Sequence, residues 1–255
     1  MEGVISQFDT LRDLGVILTD DGKFSAHVEK VLKQVRSKVG WMLRTFFTRK
    51  LEILKQLWKS LCQCHIDYCS QLYMPAGQSQ EMTKLEKLFY DFTSKIPEIR
   101  QENYWQRLNK MKMYSQERRM ERYRCIYMWK VLEGRVPNCG VAEAPTNERL
   151  GRRVEVPRLL PGGRGAVHTL REQSFQVNGA RLFNSLPKKI RSMRLSQDDF
   201  KAALDQYLAT VPDQPRMGGL VPGATDQLTG RQSNSLLAWG RTRDQEGPVG
   251  VLQPL

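Results

Sequence analysis

Apolar residues recur at helical spacing along most of the chain, and the longest such run lies near its start. Over residues 25–47 the apolar side chains fall at steps of three and four, as they do on one side of an α-helix. These positions are Val28, Val31, Leu32, Val35, Val39, Met42, Leu43 and Phe46. The pattern predicts an amphipathic helix, and its other side carries Lys30, Lys33, Arg36 and Arg44.

The same spacing predicts further helices as far as residue 210. Their ranges are about 50–73, 79–95, 103–110, 115–133, 174–186 and 197–210. The helix over 50–73 is expected to place on one face Leu54, Trp58, Leu61, Cys62, His65 and Cys69. Gly134 and Pro187 follow two of these helices, and Ser196 with Asp199 forms a capping-box pair before the last.

Three stretches depart from the helical pattern. Residues 12–18 are a short apolar run before Asp20-Asp21-Gly22, which predicts a strand and a tight turn. Residues 134–167 hold six Gly and four Pro and predict a long basic loop. Residues 212–255 hold seven Gly and five Pro, too little apolar surface to offset chain entropy, and predict a disordered C-terminal tail. The expected fold class is mainly α, with a short N-terminal β element.

The balance of charge points to an anionic partner. The chain of 255 residues has 40 Lys and Arg against 27 Asp and Glu, a formal net charge of +13. Residues 212–255 are neutral, so the whole excess lies in residues 1–211. Residues 107–135 carry nine bases and three acids, and residues 149–194 carry eleven bases and two acids.

The number of cysteines and the length of the apolar runs indicate the cellular compartment of the protein. Five Cys, an odd number, argue against a disulfide framework and favour a reducing compartment. No run approaches the ~18 apolar residues of a membrane span, and the N-terminus lacks the apolar region of a signal peptide. We therefore expect an intracellular protein, cytoplasmic or nuclear, with no membrane partner.

Two motifs could carry metal chemistry. Asp20 and Asp21 follow the front apolar run, and paired carboxylates on a turn can hold Mg²⁺, but Asp-Asp-Gly is also common turn chemistry. Cys62, His65 and Cys69 would share a helix face, but zinc needs a fourth ligand, and small buried cysteines are the simpler interpretation. The turn and core interpretations are favoured, and no metal is expected.

No catalytic arrangement stands out elsewhere. The sequence has no Ser/His/Asp or Cys/His constellation and no glycine-rich phosphate loop after a strand. A Cys69 nucleophile with a distant histidine is the remaining alternative. We expect no catalytic residue, no cofactor and no small-molecule substrate.

Several motifs follow one another in a recognisable order. They are D-L-G-V-I-L at 13–18, S-K-V-G-W-M-L-R-T-F at 37–46, I-D-Y-C-S-Q-L-Y-M-P at 66–75, L-E-K at 85–87, F-T-S-K-I-P at 92–97, W-K-V-L-E-G at 129–134 and F-N-S-L-P at 183–187. Tyr114-Ser115, Glu117-Arg118-Arg119 and Arg122-Tyr123 add a further match, with Phe200 and Leu204 at the end. Together they resemble the C-terminal part of reverse transcriptases from jockey-like non-LTR retrotransposons.

The resemblance implies a division of the chain and an incomplete enzyme. It implies a palm-edge remnant over 1–24, a thumb-like helical bundle over 25–133, a basic loop with C-terminal helices over 134–211, and a tail over 212–255 that matches nothing in the family. The family's catalytic motif, an aromatic residue followed by x-Asp-Asp, is absent from the sequence. We therefore expect a catalytically incomplete fragment of an RNA-directed DNA polymerase, which is no enzyme on its own.

The resemblance also suggests a binding surface, because family thumbs pack on the template–primer backbone. Together with the charge, it predicts phosphate contacts from Lys30, Lys33, Arg36, Arg118, Arg119, Arg122, Arg152 and Arg153. Such contacts bind RNA or DNA without reading sequence. The missing palm and finger domains are a second expected partner.

The alternative is a decayed-element product or a small protein-interaction scaffold with no enzymatic role. A bundle without its palm would expose apolar residues, among them Val16, Ile17 and Trp41. Exposed apolar surface favours association with other proteins.

Overall fold

The computed structural model describes residues 9–73, 79–138, 140–145, 148–158, 165–194 and 196–213. Strands β1 (Thr10–Asp13) and β2 (Val16–Thr19) form a two-stranded antiparallel sheet at the front. The helices are α1 (Ser25–Thr45), α2 (Leu51–Leu57), α3 (Cys64–Asp67), α4 (Ser70–Tyr73), α5 (Gln80–Thr93), α6 (Tyr104–Met111), α7 (Gln116–Leu132), α8 (Ala166–Gln173), α9 (Phe175–Ser185), α10 (Lys188–Arg191) and α11 (Gln197–Leu208). The prediction of a mainly α fold with a short N-terminal β element is confirmed.

The front element is a hairpin rather than a single strand. β1 and β2 pair from Thr10 with Thr19 to Asp13 with Val16, and the chain reverses at Leu14 and Gly15. Gly15 has a φ of 87°, a region open to glycine because it lacks Cβ. The turn expected at residues 20–22 is also present, but it leads from β2 into α1.

α1 begins and ends close to the predicted positions. Its apolar stripe is buried, with Leu32 and Val35 fully covered. The stripe packs on α5 and on Trp58, whose ring stacks on Phe92 at a centroid distance of 4.6 Å. Helical spacing predicted this element well, because its packing follows its periodicity.

The predicted helix over 50–73 is interrupted twice. A π-helical segment, Trp58–Gln63, lies between α2 and α3, and its wider turn rotates the residues that follow it. Gln63 is consequently buried, where its Oε1 accepts a hydrogen bond from Trp58 Nε1 at 2.8 Å. Cys69 then takes a φ of 53° and separates α3 from α4. The prediction of one continuous face is therefore wrong, and the residues after the segment that were assigned to it, such as His65, are only half-buried.

α7 lies between two apolar clusters. Met120, in its first half, closes a cluster formed by α1, α2, α5 and α6. Cys125, Met128 and Trp129, in its second half, belong to a cluster with α9 and α11, where Trp129 stacks on Phe200 at 5.0 Å. The two clusters thus divide inside α7, whereas the sequence-based division was placed after residue 133.

The stretch predicted as a long basic loop is ordered where the structure describes it. Glu143 and Val154 form an antiparallel bridge, and Val154 is buried in the second cluster. The Asn184 side chain in α9 hydrogen-bonds both Val154 N and Val154 O at 2.8 Å. α8 begins at Ala166, inside the predicted loop. Apart from this bridge and the start of α8, the described residues of the stretch form no helix or strand, as predicted for a loop, and side chains from distant helices hold their backbone in place.

The first two residues of the predicted tail have partners in the fold. Asp213 accepts hydrogen bonds from Ser115 N at 2.8 Å and Ser115 Oγ at 2.5 Å, at the start of α7. Pro212 O accepts one from Arg118 at 3.0 Å. Pro212 and Asp213 are therefore packed against the fold, and the prediction of disorder from residue 212 is wrong for these two. The rest of the predicted tail, residues 214–255, lies outside the described residues.

Candidate nucleic-acid interface

The predicted phosphate contacts divide into two groups with different surroundings. Lys30, Lys33 and Arg36 lie on α1. Arg118, Arg119 and Arg122 lie on α7, and Arg152 and Arg153 lie in the bridged segment that follows it. Most of the second group is engaged by carboxylates of the same chain.

Arg119 is held by Asp67 at the end of α3. Its Nε donates to Asp67 Oδ1 at 2.9 Å and its Nη2 to Asp67 Oδ2 at 2.6 Å. Tyr123, one turn along α7, donates to the same carboxylate at 3.0 Å. Two parallel bonds from a guanidinium to a carboxylate make a strong and directional pair. Arg119 therefore joins α7 to α3 and is not free for a phosphate.

Arg122 makes the equivalent contact on the other flank of α7. Its Nε donates to Asp205 Oδ1 at 2.5 Å and its Nη2 to Asp205 Oδ2 at 2.8 Å. Tyr114 also donates to Asp205, at 3.2 Å. This pair fastens α11 to α7, so the guanidinium of Arg122 has a structural partner.

Arg118 is buried and surrounded by its own chain. Its side chain is 6% exposed, pairs with Glu121 at 3.0 Å and lies 4.0 Å from Asp213. A phosphate could reach this guanidinium only after Pro212 and Asp213 had moved away.

Arg152 occupies a similar position behind α7. Its side chain is 7% exposed and pairs with Glu143 at 2.8 Å and with Glu133. It also donates to Leu132 O at 3.0 Å, at the end of the helix. The neighbouring Arg153 is half-buried. Four of the eight predicted contacts, Arg118, Arg119, Arg122 and Arg152, are therefore internal ion pairs, and we remove them from the candidate interface.

The basic residues of α1 face outward instead. Lys33 and Arg36 are exposed. Lys30 lies at the edge of the same side and donates to Gly15 O at 2.9 Å, which ties the helix to the hairpin. Glu29, the acid of α1, is already paired with Lys84. This side of the helix is left with positive charge.

Arg44 belongs to this surface, although the sequence-based site omitted it. It is exposed and lies on the same side as Lys33, three turns further along the helix. At a rise of 1.5 Å per residue, Lys33 and Arg44 are about 16 Å apart along the axis. Helical spacing alone could have included it. We define the α1 basic face as Lys30, Lys33, Arg36 and Arg44.

Buried acids gather at the start of α7. Glu86 of α5 accepts from Gln116 N at 2.9 Å and from Tyr104, and burial raises the pKa of its carboxyl to about 8. Burial, with the charges of Glu121 and Asp213, raises the pKa of Glu117 to about 7. The backbone amides at the N-terminus of α7, which would otherwise attract an anion, are therefore already bonded to the carboxyl groups of Glu86 and Asp213.

The front aspartates behave as turn residues. Asp21 Oδ1 accepts from Thr19 Oγ1 at 2.6 Å and from Lys23 N at 3.0 Å. The bond from Thr19, followed by those from Lys23, lowers the pKa of Asp21 to about 2. The local bonds account for Asp21 as the closing residue of a turn.

The cysteines and histidines do not converge in the described part of the chain. Cys62 is buried, and burial raises the pKa of its thiol to about 12. Cys64 is exposed and Cys69 half-buried. Among the described residues no group of three His, Cys, Asp or Glu side chains could hold a metal ion, and no helix is long and apolar enough to cross a bilayer.

A cavity of about 510 Å³ lies away from the α1 basic face, between the turn before α1, α4, the start of α5 and α8. Apolar lining comes from Phe24, Leu72, Leu170 and Phe175. Glu81 is the acid at its α5 side, and it accepts from Ser25 Oγ at 2.9 Å. The lining also includes Lys23, which is paired with Asp21 of the same lining at 3.0 Å.

Comparison with family models, with curated proteins and with solved structures finds no match to this chain.

Proposed function

We propose that this protein binds the RNA or DNA backbone without sequence preference through the α1 basic face, and that it is not an enzyme on its own. The observation that carries the proposal is the exposure of Lys33, Arg36 and Arg44 on one side of a rigid helix. The resemblance to retrotransposon reverse transcriptases supports it, since thumbs of that family lie along the template–primer. In this interpretation the chain is a catalytically incomplete part of such a polymerase.

Binding of this kind is driven by the release of counterions from phosphates. Each phosphate neutralised on duplex DNA contributes about 0.9 to the slope of log affinity against log salt. Lys33, Arg36 and Arg44 would therefore account for a slope of about 2.7. Since none of them contacts a base edge in this mode, the affinity should be similar for different sequences.

The test is a salt titration of binding to duplexes of unrelated sequence. We expect the unaltered protein to bind at low salt and the triple variant Lys33→Gln, Arg36→Gln, Arg44→Gln to lose about 2–3 from the slope. Arg122→Gln serves as a matched control, because its charge lies on another basic helix but is paired. Absence of binding at low salt, or equal losses in the two variants, would contradict the proposal.

A second candidate function is a protein-interaction scaffold. The observation that favours it is the exposure of large apolar side chains on the hairpin and on the segments after α3, namely Leu11, Leu14, Tyr68 and Leu72. Tyr68 donates to Leu14 O at 2.8 Å, which fixes the hairpin to the end of α3. Three residues were expected to be exposed. Trp41 is exposed, whereas Val16 is buried and Ile17 is half-buried. A concentration series in size-exclusion chromatography tests this candidate, and a monomer at all concentrations would count against self-association.

A further inference from the structure

Two aromatic rings are exposed at the C-terminal end of α1. Trp41 is 48% exposed and Phe47 is 95% exposed. Trp41 lies one turn before Arg44 on the outward side of the helix, so the two side chains are neighbours. Single exposed apolar residues are common on protein surfaces, so the meaning of these two rings depends on what surrounds them.

The segment that carries these rings is held in place. Arg49 folds back and donates to the carbonyls of Leu43 and Phe46, and so satisfies the end of α1. Phe46 packs on the first cluster and meets Trp41 edge-to-face at a centroid distance of 5.9 Å. The backbone at Phe46 is extended, so successive side chains point to opposite sides and Phe47 points outward. Both rings are therefore presented by an ordered scaffold.

The surroundings of the rings are positively charged. Residues 30–51 contain seven Lys and Arg and no Asp or Glu. The run is bounded in sequence by Glu29, which pairs with Lys84, and by Glu52 in α2. Glu98 of another segment accepts from Leu51 N at 3.0 Å. Aromatic rings flanked by cations match an anionic polymer whose own rings are accessible.

We infer that Trp41 and Phe47 stack on unpaired bases of a single-stranded nucleic acid whose phosphates lie on the α1 basic face. This inference rests on the proposed function and names the substrate within it. In a duplex the bases are already stacked on each other, so the two rings could reach only an end or a gap. A single strand offers π-faces at every nucleotide, and stacking on them is tolerant of sequence.

A lipid surface is the competing partner, since cations and aromatic residues also mark peripheral membrane helices. Such helices insert a continuous apolar face into the bilayer. The apolar stripe of α1 is instead buried in the first cluster, which leaves two rings and no stripe for lipid. The structure therefore favours the nucleic acid.

The test compares single-stranded oligothymidylate with a duplex of the same length by fluorescence anisotropy. For Trp41→Ala combined with Phe47→Ala we expect roughly a tenfold or greater loss of affinity for the single strand. The affinity for the duplex should change less than twofold, and the salt dependence should be unchanged, because no charge is removed. Val167→Ala, at an exposed apolar residue in α8, is the matched control and should change neither affinity.

The outcomes separate the two proposals. If the triple charge variant loses binding but the aromatic variant binds both ligands normally, the stacking inference fails and the proposed function stands. If neither variant changes binding, both fail. Equal losses on single strand and duplex would also overturn the inference. So would loss of binding to phosphatidylserine vesicles by the aromatic variant while its affinity for the single strand is unchanged.

Discussion

α1 and α7 are both basic helices, and their charges have different uses. The bases of α1 face outward and meet one acid of their own helix, Glu29, which is occupied by Lys84. Two arginines of α7 meet carboxylates 52 and 83 residues away in the chain, from Asp67 and Asp205. The contrast shows that a cluster of like charges in a sequence predicts a ligand only where the fold brings no acid to it. On α7 the positive charge holds elements together, and on α1 it remains available.

Among single substitutions, the largest loss of stability should follow from removing the acid that holds Arg119. Asp67→Ala leaves the Arg119 guanidinium without its carboxylate partner. It also removes the acceptors of Tyr123 and of Gln63, whose Nε2 donates to Asp67 Oδ1 at 2.9 Å. We expect the free energy of unfolding in urea to fall by about 2 kcal/mol, less than for a fully buried pair, because the side chains of Arg119 and Asp67 are 24% and 21% exposed. Asp91→Ala, at an exposed position in α5, is the control and should change it by about 0.5 kcal/mol or less. Similar small losses for both would show that the α7 pairs are ordinary surface contacts.

Stability should depend on pH through the acids at the start of α7. Burial raises the pKa of Glu86 from its ordinary value of 4.5 to about 8, so between these pH values the folded state holds a proton that the unfolded state has lost. Stability therefore falls as the pH rises from about 4.5 to about 8, by up to about 1.4 kcal/mol per pH unit for one proton.

Urea titrations at several pH values test this dependence, and Glu86→Gln should flatten it. Some slope should persist because the pKa of Glu117 is also raised, to about 7. Asp21→Asn is the control, because the pKa of Asp21 is lowered in the folded chain whereas that of Glu86 is raised. Its lowered pKa of about 2 makes its contribution disappear only as the pH falls below about 4. An unchanged slope in Glu86→Gln would contradict the raised pKa.

A smaller effect is expected for the coupling between Arg122 and Asp205. Their side chains are 19% and 38% exposed, so water screens the pair more than it screens Arg152. A double-mutant cycle with alanine at each position should give a coupling of about 1 kcal/mol. The exposed pair Lys201 and Asp198 is the reference and should give about 0.3 kcal/mol. Equal couplings would remove the distinction between structural and solvated pairs.

The smallest effect on stability should come from α1. Lys33→Ala removes an exposed charge with no ion pair among the described residues, and should change the free energy of unfolding by about 0.5 kcal/mol or less. It should nevertheless weaken nucleic-acid binding and its salt dependence. Arg122→Ala should instead lower the free energy of unfolding and leave nucleic-acid binding unchanged, when binding is measured at temperatures where the variant is folded. The comparison fails if both substitutions affect the same property.

Periodicity predicted the elements whose packing follows their own spacing. Each of five helices buries one apolar stripe and lies close to its expected range, namely α1, α5, α6, α9 and α11. α7 also lies close to its expected range, although it contacts both clusters and buries residues on several sides. The interruption after Leu57 was not predictable in this way. The interruption is accompanied by a buried hydrogen bond from Trp58 to Gln63. The spacing of hydrophobic residues does not predict such a polar contact.

The interface was harder to predict than the fold. The spacing of Lys33, Arg36 and Arg44 on one side of α1 is visible in the sequence. The pairing of Arg152 is not, because Glu133 and Glu143 reach it only when the segment after α7 turns back. Likewise, the bridge between Glu143 and Val154 is supported by Asn184, far along the chain, which hydrogen-bonds the backbone of Val154. Long-range polar partners thus decide both which charges are free and which glycine-rich segments are ordered.

The shared position of α7 has a consequence for how the molecule unfolds. Because one helix forms a wall of both apolar clusters, neither can melt without uncovering part of the other. We expect a single cooperative transition, with amide protons in both halves of α7 exchanging at one opening free energy. A fragment that ends at residue 133 would keep α7 but leave Met128 and Trp129 without their cover from α9 and α11. The two clusters, though separate in space, form one thermodynamic unit.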